Sequence, residues 1–147
     1  MAMTEVKIRT LQPEDVTTCA RLYVAAYQAP PYDGCFDENL ARAILTEMRQ
    51  RSPETCFVAQ VGETVVGFIL CSTLAGVRAT IEEFAVDPAY QGLGIGRRLL
   101  EHVCNLFRQS HYATVELIVD RLAPVHSMYR RFGFTESDRY RLMSLEL

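Results

Sequence analysis

The sequence predicts an α+β fold, a three-layer arrangement in which a mixed sheet of six to seven strands carries about four helices on its two faces. Three observations predict it. Apolar and polar residues alternate over short stretches near both ends of the chain, as half-buried strands do. Other segments repeat their apolar residues every three or four positions, as helices with one packed face do. The two kinds of segment follow one another without linker, repeat or low-complexity run, so residues 1–147 read as one domain built from both layers.

Each element has its own signal. Val6-Lys7-Ile8-Arg9 alternates and reads as a strand. Pro13-Glu14-Asp15 opens a helix, with proline and acids in its first turn. Val16, Cys19, Ala20, Tyr23, Val24 and Tyr27 continue it on one face. The run 29–34, Ala-Pro-Pro-Tyr-Asp-Gly, breaks it. A second helix is expected over 37–51, with Leu40, Ile44, Leu45 and Met48 on one side, stopped by Ser52-Pro53. Residues 56–59 and 65–70 are strands joined near Gly62-Glu63, a hairpin with a short glycine-containing loop. Residues 74–79 form a loop into a strand around Ile81. A third helix runs behind Gly96 to Arg108. Residues 113–119 are a strand, Pro124 opens a helix through Phe132, and Gly133 stops it so that Phe134 re-enters the core. The tail 140–147 alternates as a last strand.

Composition bounds the function classes. With 147 residues, 49% apolar and 22% charged, the chain suits a soluble globular domain with a real core. No apolar run nears the roughly 20 residues that span a bilayer, and the first ten residues lack the build of a signal peptide. A net charge of −3 argues against nucleic acid as a partner. The five cysteines stand apart, without CxxC or metal-ligand spacing, and read as reduced, mostly buried thiols of a cytoplasmic protein. No metal site is expected.

The densest chemical signal is Gln91-Gly92-Leu93-Gly94-Ile95-Gly96-Arg97-Arg98. Glycines allow positive φ and close backbone approach. A helix start directly behind them offers unpaired N–H groups to an anion, most often phosphate. A Walker A loop fails here, because Arg97 stands where its second glycine belongs and no lysine follows. A dinucleotide fingerprint fits Gly92 and Gly94 but meets Arg97 at its third glycine. Asp120 imitates the ribose-binding acid of that pattern, yet Glu82-Glu83 interrupts what should be an apolar strand. The pattern [Q/R]-x-x-G-x-[G/A] fits Gln91, Gly94 and Gly96 without exception.

That last pattern resembles the acyl-CoA loop of the GNAT (GCN5-related) N-acetyltransferase superfamily. So do the lead-in from Val86 to Gln91, the order helix-helix-hairpin before the loop, and the ending Tyr129-x-x-x-Gly133-Phe134. The resemblance covers most of the chain; Leu122 departs from it, where many members carry asparagine. It implies a GNAT-like, mostly antiparallel sheet and an acetyl-CoA cosubstrate. Residues 92–97 would cradle the pyrophosphate, with Arg97 or Arg98 adding charge. The backbone of Phe84, Ala85 and Val86 would pair with the pantetheine arm. The cofactor set is thus Phe84, Ala85, Val86, Gln91, Gly92, Leu93, Gly94, Ile95, Gly96 and Arg97.

Acetyl transfer to an amine needs a base for the ammonium, whose pKa is roughly 10.4, and an acid for the leaving sulfur. Glu82 and Glu83 are the base candidates. In a regular strand they point to opposite faces, so one faces the interior or a cleft. Burying a carboxylate without purpose is costly; a bulge that leaves both in water is the plain alternative. The resemblance assigns Glu82 as base, through water, and Glu83 as contact for a cationic substrate, with the two roles interchangeable. Glu116 is a third candidate. Tyr129 lies on the apolar stripe of Val125, Met128 and Phe132, a core position by spacing; the resemblance makes it the acid. Tyr27, Tyr32 and Asp33, with the loop 74–78, would line the acceptor side, against the plain reading of a helix–helix connection. Transfer is direct, without an acyl-enzyme.

The function implied is N-acetylation of a small amine (polyamine-, aminoglycoside- or amino-acid-like) or of a protein amine, without membrane or nucleic-acid partner. The resemblance also implies homodimerisation through the C-terminal strands. The alternative is a CoA-binding module of this fold without turnover.

Overall fold

The computed structural model describes residues 5–28, 30, 32 and 37–147. Its sheet holds five strands in the order β1-β2-β3-β4-β5. They are β1 (Val6–Thr10), β2 (Cys56–Val61), β3 (Thr64–Leu74), β4 (Arg78–Val86) and β5 (Thr114–Leu117). The first four pair antiparallel and β5 runs parallel to β4. Among the described residues four α-helices complete it: α1 (Val16–Ala26), α2 (Glu38–Arg51), α3 (Ile95–Gln109) and α4 (Val125–Phe132).

Local chemistry sets the ends. Pro13 begins a 3-10 turn ahead of α1, where Asp15 accepts the Gln12 N–H at 2.8 Å and takes both arms of Arg9. Asp37 caps α2 by accepting from Leu40 N–H at 2.7 Å. The β2–β3 turn needs Gly62 at φ +58°. The expected loop 74–79 is tighter than its composition suggests. β3 runs on to Leu74, β4 starts at Arg78, and Ala75 and Gly76 turn the chain at φ +53° and +65°.

Two apolar clusters lie on opposite faces of the sheet. Tyr23, Leu45 and Met48 from α1 and α2 pack on Val58, Phe68 and Leu70. Leu99, Val103 and Phe107 from α3, with Tyr129 from α4, pack on Val66, Ile69 and Ile81. Full burial of one such side chain contributes roughly 1.5–3 kcal/mol. Cys19, Cys56, Cys71 and Cys104 are buried and free, and burial pushes the Cys56 thiol up to about 11. Cys35 lies outside the described residues.

The strand count differs from expectation. Residues 140–147 join no ladder, and Tyr140, Leu142, Met143 and Leu145 stay exposed. Alternation tells which side of a strand would be buried, but a strand also needs a partner edge. Here Leu142 and Met143 adjoin, which breaks the two-residue period. Among the described residues the sheet therefore has five strands rather than six to seven, while its class, mixed and covered on both faces, is as read from the sequence. Among the described residues no helix is long and apolar enough to cross a membrane.

Candidate active site

β4 and β5 part company halfway. Their pairing runs only from Arg78–Thr114 to Ile81–Leu117. β4 continues to Val86, so its last five residues have an open side among the described residues. The hydrogen-bond phase shows which groups face the opening. Asp87 N–H donates to Val66 O at 2.8 Å, which makes that pair a bonded one. Bonded pairs alternate in an antiparallel ladder, so Ala85–Phe68 and Glu83–Leu70 are bonded too. Phe84 and Val86 then turn their N–H and C=O outward. The Val86 carbonyl already accepts from Gln91 Nε2 at 3.0 Å, which ties the glycine loop to the end of β4.

The loop is shaped by its glycines. Gly92 and Gly94 hold φ at +79° and +81°, and a Cβ on either would meet no atom within 4 Å. Backbone conformation selects glycine there, and the space beside the loop is open. Gly96 is glycine for another reason: its Cβ would lie 3.3 Å from the Phe84 ring and 3.8 Å from Met128 sulfur, so α3 seats tightly on β4 and α4. Gly94 brings no side chain to cap α3, and Arg98 is the first residue to bond back into it, to Gly94 O at 3.1 Å. The N–H groups of Ile95, Gly96 and Arg97 therefore lack helical acceptors. The Arg97 guanidinium is engaged with Glu101 at 2.9 Å.

The two acids do not straddle the strand. Leu70 stands opposite Glu83 and Cys71 opposite Ile81, so Glu82 is the extra residue of a β-bulge. The bulge resets the alternation. Ile81 belongs to the α3/α4 face, whereas Glu83 reaches Tyr23 Oη on the α1 side at 2.7 Å. Glu82 takes a short hydrogen bond from Ser72, two residues beyond Leu70 and so on that same side. Both carboxylates thus stand on the α1/α2 face, Glu82 exposed and Glu83 half-buried, which corrects the expectation of opposite faces. Burial raises the Glu83 pKa, the Tyr23 hydrogen bond opposes this, and the neighbouring Glu82 adds to it; the net direction is upward.

Tyr129 enters from α4. Its carbonyl accepts from both Gly133 N–H (3.2 Å) and Phe134 N–H (3.0 Å), and Gly133 N–H also reaches Arg130 O. Gly133 sits at φ +122°, and the Phe134 ring meets that of Tyr129 edge-on, centroids 5.6 Å apart. The Tyr-x-x-x-Gly-Phe ending is therefore a Schellman helix stop that fixes the tyrosine. Tyr129 is buried and also touches Phe84, centroids 6.2 Å apart. Burial first, then the nearby Tyr27 and Tyr32, hold its phenol well above the usual range.

One cleft of about 640 Å³ joins these parts. Glu82 to Val86, Tyr129, Tyr27, Tyr32 and the loop residues Gln91, Gly92 and Gly94 to Arg97 all line it. Leu93, 69% exposed, does not, nor do residues 74–78 at the hairpin tip or Glu116, which faces Arg78 at 3.8 Å. Asp33 lies outside the described residues. Tyr32 leans on Tyr27, centroids 4.5 Å apart, and burial with nearby Asp120 raises its pKa. Sequence reasoning missed Tyr23 and Ser72, the partners of the two acids. Tyr23 was legible only as one residue of a helical stripe, four before Tyr27. Among the described residues no three His, Cys, Asp or Glu converge as metal ligands.

A sheet split beside a glycine-opened helix defines a recognisable class. Residues 17–134 match the acetyltransferase (GNAT) family, and the chain belongs to that family. It is 33% identical over 137 residues to the N-alpha-acetyltransferase RimI of Mycobacterium tuberculosis, covering 88% of this chain and 78% of that protein. It is 27% identical over 149 residues to the glucosamine 6-phosphate N-acetyltransferase of Trypanosoma brucei brucei, covering 96% and 97%. It spans only 34% of the length of another relative, an uncharacterized Mycobacterium leprae protein, at 32% identity over 133 residues and 86% of this chain. Among solved structures, PH1933 from Pyrococcus horikoshii superposes with a TM-score of 0.78 at 26% identity, over 93% of both chains. The PaiA N-acetyltransferase from Thermoplasma acidophilum, solved in complex with coenzyme A, shares the fold with a TM-score of 0.78 at 23% identity, over 91% of this chain and 92% of that one.

Proposed function

We propose that the protein is an acetyl-CoA-dependent N-acetyltransferase that acts directly on a primary amine. One observation carries the reading. Glu83, a half-buried carboxylate with a raised pKa, shares a cleft with the glycine loop and with Tyr129. The chain's residues fit the cosubstrate. The N–H groups at the start of α3 converge beside open space, where a pyrophosphate would sit, and the outward groups of Phe84 and Val86 offer a strand edge to an amide-bearing arm. Coenzyme A in the PaiA structure is consistent with this.

Acetyl-CoA supplies the acetyl group as a thioester. Glu83 accepts a proton from the ammonium of the acceptor, leaving an amine lone pair free to attack. A base works best when its pKa lies near the working pH, and burial moves Glu83 in that direction, so Glu83 takes the role that the resemblance gives to Glu82. Glu82, exposed on the bulge beside it, then holds the acceptor's positive charge. Tyr129 keeps its phenol protonated and donates that proton to the departing sulfur. Tyr27 and Tyr32 wall the acceptor side.

The relatives suggest two acceptor types, an amino sugar and a protein N-terminus. The test follows thiol release from acetyl-CoA over a panel of diamines, aminoglycosides, amino acids, glucosamine 6-phosphate and N-terminal peptides. Thiol release with matching acetylated product is expected for at least one class. If CoA raises the unfolding temperature but no class releases thiol, the protein is a CoA-binding module without turnover.

A further inference from the structure

We propose that Tyr23 is a positioning residue of this site: its phenol holds the Glu83 carboxylate in place and sets the pH at which that carboxylate becomes a base. The inference rests on Glu83 acting as the base. Tyr23 Oη donates to Glu83 Oε2 at 2.7 Å. The tyrosine is 1% exposed, and its ring is stacked between Tyr27 and Phe68, with centroids at 5.0 and 5.7 Å. The hydroxyl therefore cannot swing away. Among the described residues this is the one side-chain hydrogen bond to the Glu83 carboxylate, and it is made through Oε2.

The partner's chemistry matters as much as its position. The same protein holds a second sheltered carboxylate, Asp15, for structure. There burial pushes the pKa up, but Arg9, bonded at 2.7 and 3.0 Å, wins and holds it below the usual range. Such a clamped carboxylate is a poor base. Glu83 is held instead by a neutral donor, which orients it without cancelling its charge, and its pKa moves the other way. Among the described residues the titratable groups facing Glu83 are Tyr23 from α1, Tyr27 directly behind α1 and Glu82 from β4; Leu70, opposite on β3, is apolar.

Tyr23→Phe removes one oxygen and keeps both ring stacks, so the fold stands, as its thermal midpoint will document. A hydrogen bond to the ionised form favours ionisation. Its loss should move the acidic limb of the kcat/KM profile upward by about one pH unit. Activity should fall about tenfold on that limb and recover toward alkaline pH. Tyr23→Phe should then add nothing in a Glu83→Gln background. Equal loss at every pH, or an unmoved limb, overturns the positioning role. The two readings fail separately. If Glu83→Gln keeps the wild-type limb, Glu83 is not the base; if Glu83→Gln abolishes the limb while Tyr23→Phe leaves it in place, only the role of Tyr23 falls.

Discussion

Replacing Gly94 by alanine tests the cofactor side of the cleft, provided that backbone strain is separated from lost binding. Gly62 supplies the control. Both glycines have positive φ, +81° and +58°, and at neither would a Cβ meet an atom within 4 Å. Each alanine variant should therefore lose about 1–2 kcal/mol to left-handed backbone strain. For a chain of this size that lowers Tm by about 2–8 °C. The positions differ in what lies beside them. Gly62 turns a hairpin, whereas Gly94 lines the cleft and opens α3. Thermal unfolding with and without saturating CoA separates the two effects. Gly62→Ala should keep the full CoA-induced rise in Tm. Gly94→Ala should lose most of it, with KM for acetyl-CoA at least about tenfold higher, about 1.4 kcal/mol. Equal CoA protection in the two variants would refute the pyrophosphate cradle, whatever their stabilities.

Three further outcomes are expected. Glu83→Gln should lose acetyl transfer yet unfold at a higher temperature than wild type at neutral pH. The wild-type folded pKa is raised above its ordinary value near 4.5, so stability present below that value is lost as pH rises through the folded one. The Tm advantage of the variant should therefore vanish near pH 4, and a pH-independent difference contradicts a raised pKa. Tyr129→Phe should lower kcat about hundredfold with KM for acetyl-CoA nearly unchanged; steady-state kinetics showing wild-type kcat at all pH values exclude it as the acid. Gly133→Ala has room for its Cβ but sits at φ +122°. It should cost about 1–3 kcal/mol and reduce kcat through misplacement of Tyr129, which calorimetry and kinetics together will show.

The shape of the glycine loop and of the α4 stop was legible because it depends on residue types that sequence displays directly. Gly92 and Gly94 announce positive φ, and Gly133 with Phe134 announces a helix stop. The acceptor side was less legible, for a geometric reason. Alternation predicts opposite faces for Glu82 and Glu83, and one unpaired residue at the bulge cancels that rule without any mark in composition. Tyr23 illustrates the second difficulty. A buried tyrosine on an apolar stripe reads as core, and only the sheet beneath it reveals which carboxylate its hydroxyl meets, 60 residues away. The tail 140–147 illustrates the third, because an alternation interrupted at Leu142-Met143 does not by itself make a strand without a ladder to join.

The outward groups of Phe84 and the Val86 N–H, without a strand partner among the described residues, have a consequence for the protein outside catalysis. A row of unpaired backbone groups is a template on which other chains can assemble. A ligand that covers this row both shields it and stabilises the fold by mass action, adding about 2.7 kcal/mol at a concentration one hundred times its Kd. Heat tolerance and solubility should accordingly track the acyl-donor supply, so that extracts depleted of that donor lose the protein to precipitation first.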